Sequence, residues 1–163
     1  MREGDSYYWA GGRKVPLEAT SEVAIDLDSA AATGLDVTAL ARLRGAGRIL
    51  TRSLLLVSGP EAADALGPGA RAGVHPVFHS QDGSLVVVLP EVRVESADSR
   101  TLDEVGRSLT TAHVKERTEE RLVLEPDSGR GEDALALANS VAESHRTDVS
   151  QPRLLRVVDR PSL

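Results

Sequence analysis

The chain has 163 residues, 25 acidic against 19 basic side chains, a net charge of −6 and no cysteine. That length makes one domain or two small ones with a buried core. The negative balance argues against a general nucleic-acid or anionic-membrane surface, and the missing cysteines exclude disulfides, thiolate metal sites and cysteine nucleophiles. Aromatic residues are only 2% of the chain, so the core is aliphatic. No apolar run approaches the ~18 residues of a membrane span, and the first ten residues lack a secretory apolar segment. The chain as it stands reads as cytoplasmic, with a secreted precursor left open.

Tyr7-Tyr8-Trp9 and Lys14-Val15-Pro16-Leu17 flank Gly11-Gly12, a two-strand pattern around a glycine turn. Those three aromatics, of four in the chain, form an added edge strand on this reading. Glu22–Leu27 alternates apolar and polar residues as a strand does. Leu35, Val37, Leu40, Ala41 and Leu43 then carry helical spacings, with Asp36 or Thr38 near the start and Gly45 and Gly47 at the end. An extended Arg52–Val57 segment, a helical Glu61–Leu66 segment and a proline-bearing strand at Val74–Phe78 complete the series.

The series then repeats. Asp82-Gly83 is a second hairpin turn, the counterpart of Gly11-Gly12. Glu91–Glu95 follows it and alternates as Glu22–Leu27 does. Leu102, Val105 and Leu109 share a helical face behind a cap at Asp98 or Ser99. Arg121–Glu125 is the counterpart of the extended segment that begins at Arg52, and Glu132–Asn139 is the second helix of the unit. Val149–Leu154 closes it, with Pro152 in the place that Pro76 holds in the first series. The spacing between counterparts hardly changes from the turns to the closing prolines. Six elements in the same order at a near-constant offset predict an α+β fold of tandem ferredoxin-like (βαββαβ) units, each with its helices on one face of an antiparallel sheet. The expected units are residues 1–79 and 80–163, joined without a flexible linker. The expected inward faces include Val23, Ile25, Leu40, Leu54, Leu56, Leu85, Val87, Val92, Leu124 and Leu135.

Chemistry-bearing motifs are sparse. His75, His79, His113 and His145 have no metal-pair spacing, and no Gly-x-Ser-x-Gly elbow is present. The Gly67-Pro68-Gly69 loop lacks the ending of a phosphate cradle and reads as a connector. Asp26 and Asp28 read as an exposed polar strand face. The expectation is therefore a protein that is not an enzyme, with no catalytic residue, no cofactor and no metal. Trp9 and its tyrosine neighbours are candidates for a partner interface, where Trp and Tyr are enriched.

Four stretches, YYWAGGRKVPL (7–17), SEVAIDLD (21–28), VHPVFHSQDGSLVVVLPEVRVE (74–95) and EDALALANSVAES (132–144), carry a family resemblance. Together they resemble the non-catalytic N-terminal region of bacterial subtilisin-like serine peptidases, the fervidolysin-type prodomain group. The resemblance implies a folding chaperone and inhibitor of a subtilisin-like protease domain, in cis or in trans. It also implies that the segment after the last strand runs toward the protease cleft. Tyr7, Tyr8, Trp9, Arg156, Val157, Val158 and Asp159 are then the partner-binding candidates. The alternative is a stand-alone peptide- or protein-binding module that keeps the fold without a protease.

Overall fold

The computed structural model describes residues 6–29, 34–51, 53–67 and 72–157. The first half runs β1 (Ser6–Ala10), β2 (Arg13–Asp26), α1 (Val37–Ala46), β3 (Arg48–Ile49), β4 (Leu54–Ser58), α2 (Gly59–Leu66) and β5 (Val74–His79). The second half runs β6 (Leu85–Glu95), α3 (Ser99–Ser108), β7 (Ala112–Arg117), β8 (Arg121–Pro126), α4 (Gly131–Ser144) and β9 (Val149–Val157). The expected edge strand is β1, which pairs antiparallel with the start of β2. Gly11 and Gly12 both take positive φ at the turn between them, as a tight hairpin requires. Asp36 caps α1 by accepting the Ala39 N–H at 2.7 Å, and Asp98 caps α3 by accepting the Arg100 N–H at 2.9 Å.

Among the described residues the architecture is α+β: four helices on one large antiparallel sheet, ordered β3-β4-β2-β5-β6-β8-β7, with β1 added to β2 and β9 to β6. Around β2 the order is β3-β4-β2-β5, and around β6 it is β7-β8-β6-β9. Strand β6 belongs to both regions, because its first residues pair with β5 while its later residues pair with β8. Among the described residues, no helix is long and apolar enough to cross a membrane.

Apolar periodicity explains which face each element buries. In the first half Ile25 and Leu55 pair across strands and meet Leu43 of α1 and Ala62 and Leu66 of α2. In the second half Val92, Val94, Leu122 and Leu124 meet Leu102 and Val105 of α3 and Ala134, Ala138 and Val141 of α4. Leu54 and Leu56 are core, as expected, but on the face opposite Ile25 and the helices, with Ala24 and Val77. That helix-free face is buried as well, because the sheet coils until Leu85, Val87, Leu155 and Val157 join the same cluster. β4 and β9, separated in hydrogen-bonding order by β2, β5 and β6, thus share a core. Val23 and Leu40, expected inside, are only half-buried.

Burial on both faces makes adjacent residues equally costly to truncate. Leu55→Ala opens the helix side and Leu56→Ala opens the concave side, and each should destabilise by about 2–5 kcal/mol. Urea unfolding of the two variants checks this. A sheet covered on one face alone would leave one of the pair near wild type.

Candidate binding surfaces

Three places in the fold collect polar or aromatic side chains. The first is the opening hairpin. Successive strand residues point to opposite faces, and β1 divides its aromatics accordingly. Tyr8 is buried with Leu17, Phe78, Val88 and Leu135, so it is core and not contact surface. Tyr7 and Trp9 lie on the other face, edge to face at 6.2 Å between ring centroids. Both donate to one carboxylate oxygen of Glu143 on α4, the Tyr7 O–H at 2.8 Å and the Trp9 Nε1–H at 3.1 Å. Lys14 completes the group, its Nζ 4.5 Å from the Tyr7 ring centroid and 5.5 Å from that of Trp9. The Asn139 amide donates to the Tyr7 carbonyl at 2.8 Å, tying backbone to α4 as well.

The remaining partner candidates lie elsewhere. Arg156 on β9 reaches the β5–β6 turn, its Nη1 3.1 Å from Ser84 Oγ, 3.3 Å from Ser80 Oγ and 3.4 Å from Asp82. The Ser84 hydroxyl bonded to Asp82 holds that carboxyl below its usual range. Val157 packs on the concave core. Val158 and Asp159 lie outside the described residues. The structure therefore brings Tyr7 and Trp9 together and assigns Arg156 to a turn.

The second place is the helix-free face of β6, β7, β8 and β9, which is open and polar where its first-half counterpart is closed. Lys115 bonds Glu91 at 3.1 Å and lies 3.8 Å from Glu125. Arg153 lies 3.8 Å from Glu91, and Arg93 pairs with Glu95 at 2.8 Å. His113 sits between Asp127 at 2.8 Å and Glu125 at 3.2 Å, and those two carboxylates, Asp127 foremost, raise its pKa. That contribution to stability is full below the ordinary histidine range and is lost as pH rises through the raised folded value. β7 is an edge strand, but a bulge between Val114 and Glu116 and the run Lys115-Glu116-Arg117 discourage pairing with another chain.

The third place was not legible from sequence spacing. Where the open and closed parts of the helix-free face meet, a cleft of about 350 Å³ lies between the halves. Asp26, His75, Glu91, Glu125 and Arg153, with the hydroxyls of Thr51 and Ser53, supply its polar groups, and Leu54, Leu89, Pro90 and Leu155 its apolar ones. Asp26 is half-buried here, which corrects its reading as exposed polar face. His75 is buried, and its Nδ1 accepts the N–H of Gly131, the first residue of α4, at 3.1 Å. Burial lowers the His75 pKa against a smaller opposing pull from Asp26. Among the described residues, no group of three or more His, Asp or Glu side chains is placed to hold a metal ion.

Compared with protein-family models, curated proteins and solved structures, the chain finds no match. Its function has to be argued from these surfaces.

The hairpin anchor has a pH signature. The Trp9 and Tyr7 donors hold the Glu143 carboxyl below its ordinary value. Because the carboxylate form accepts the bonds, their contribution is full above the ordinary glutamate range and fades as pH falls through the lowered folded value. Trp9 is the only tryptophan, so its emission reports the contact. Glu143→Ala should shift that emission at neutral pH and abolish the acid-induced shift of the wild type. Identical spectra for the two proteins would remove Glu143 as the anchor.

Proposed function

We propose that the two halves, residues 1–79 and 80–163, are ferredoxin-like units forming a non-catalytic, protease-associated module that chaperones and inhibits a subtilisin-like serine protease. The observation carrying this reading is the repeated strand order. In β5-β2-β4-β3 and in β9-β6-β8-β7, the fourth, first, third and second strands of a strand–helix–strand–strand–helix–strand unit lie side by side, all antiparallel. That order is the one a split βαβ plan would produce, which supports the reading. The four sequence stretches resembling fervidolysin-type prodomains fall on β1–β2, β2, β5–β6 and α4.

A module of this kind acts by complementarity. Any surface that binds the folded partner and not its unfolded chain shifts the partner toward its folded state. The open face of β6, β7, β8 and β9 is the docking surface on this reading, since the corresponding face of the first half is covered by Leu85, Val87, Leu155 and Val157. Charges at such a surface act on association rate and on partner choice. A second reading, a stand-alone peptide- or protein-binding module without a protease, is favoured by one observation: the polar cleft between the halves.

Titrating a subtilisin-like protease with the chain should suppress peptide hydrolysis and speed recovery of the denatured protease. Unchanged hydrolysis together with unchanged refolding time would exclude this role. The double variant Arg93→Glu, Lys115→Glu should weaken inhibition about tenfold by reversing charge on the docking face. Both side chains are at least half exposed, so the carboxylates placed beside Glu91, Glu95 and Glu125 should cost no more than about 1 kcal/mol of stability each. Full inhibition by that variant would move the interface off this face.

A further inference from the structure

The cleft between the halves is lined by a buried imidazole with a proton to donate. His75 is 2% exposed, and because its Nδ1 accepts from Gly131 the ring is neutral with its proton on Nε2. Among the described residues nothing accepts that proton. The imidazole stands between two cavities. Arg130, next to Gly131, lines one of them, and Asp26 lines the other. With Nδ1 committed to Gly131, Nε2 is the nitrogen left for a ligand, and Asp26 is near enough to act on the charge of the ring. Among the described residues Asn139 Oδ1 is the buried side-chain polar atom left without a partner, so the His75 Nε2 reaches the water of a cavity and can donate to a bound acceptor there.

The surroundings define what that acceptor is attached to. Asp26 shares His75's face of the sheet, two residues beyond Ala24, which pairs with His75. Its Oδ1 accepts the Asp28 N–H at 2.9 Å, and no described cation pairs with it. Glu91 and Glu125 on the opposite wall already share Lys115. Arg153 is 64% exposed and only loosely engaged with Glu91. Beside Glu91, the walls contributed by Leu54, Leu89 and Leu155 are apolar. An anion alone would satisfy His75 and Arg153 but stand against Asp26. A cation alone would satisfy Asp26 and leave the His75 and Arg153 donors unused.

We propose that this cleft binds a small zwitterion, an α-amino acid with an aliphatic side chain. Its carboxylate takes the Arg153 guanidinium and the His75 Nε2–H, its ammonium takes Asp26, and its side chain lies against Leu54, Leu89 and Leu155. The volume of about 350 Å³ is in the range of small-molecule clefts. The inference is independent of any protease.

Calorimetric titration of the full chain with L-leucine, L-leucinamide and N-acetyl-L-leucine tests it. Leucine should bind at least ~10-fold more tightly than either analogue, because each lacks one charge that the cleft pairs. Arg153→Gln should weaken leucine about tenfold and leave leucinamide unchanged. Asp26→Asn, which keeps an oxygen for the Asp28 N–H, should weaken leucine and leucinamide together. The His75 Nε2 resonance should move on leucine addition in the wild type. No saturable heat with millimolar leucine would overturn the proposal, as would equal affinity for leucine and leucinamide or equal leucine affinity in all three proteins.

Discussion

Burial of the first part of β6, Leu85 to Val88, on both faces is the constraint on which the rest of the structure depends. Val86, Val87 and Val88 have no exposed surface, and the strand pairs with β5, β8 and β9. Such a strand needs apolar side chains at consecutive positions, and the run Leu85-Val86-Val87-Val88-Leu89 supplies them. A bulge between Val88 and Val92 bends it, so one strand serves two curved regions of sheet. Helix α4 closes over the bend. A side chain at Gly131 would overlap the Val88 carbonyl, so only glycine lets the helix begin there. The amide freed by that close approach is the one His75 accepts. Core, helix start and cleft are therefore one arrangement.

The coiling of the sheet also explains why the helix-free face is divided. Over β4, β2 and β5 it meets β6 and the end of β9 and becomes core. Over β7, β8 and the later part of β6 none of the described elements covers it, and charged residues occupy the positions that would otherwise be apolar. The cleft sits on the seam between the two regimes. Polar side chains there have partial access to water, and apolar ones have partial cover. Those are the conditions under which a few directed hydrogen bonds select a ligand.

Much of the element order was legible in the sequence because local chemistry dictates it. Gly11-Gly12 and Asp82-Gly83 fix two turns, Asp36 and Asp98 fix two helix starts, and alternation fixes the strands between them. The core was harder to read. In Leu54-Leu55-Leu56-Val57 all four side chains are buried, and a period of two assigns only half of them to the inside. Nothing local says that Leu155 and Val157 will cover the other half. The cleft was illegible for the same reason. Asp26 and His75 come from one half and Glu91, Glu125 and Arg153 from the other, so only the coiling of the sheet brings them together. Strand parity separates Tyr8 from Tyr7 and Trp9, but no spacing identifies Glu143 as their partner.

The anchoring of β1 has a consequence for the order in which the molecule is made. Tyr7 and Trp9 leave the ribosome long before Glu143 and Asn139, which hold them. Leu135, against which Tyr8 packs, is equally late. The opening hairpin can form its turn early, since its own hydrogen bonds are local. Its inner face has no complete cover until α4 has emerged, so most of the chain's aromatic surface waits for its partners while the intervening strands are translated. The hairpin precedes every element it packs on and is secured only at the end, and each nascent chain passes through an interval in which that hairpin is available to other proteins.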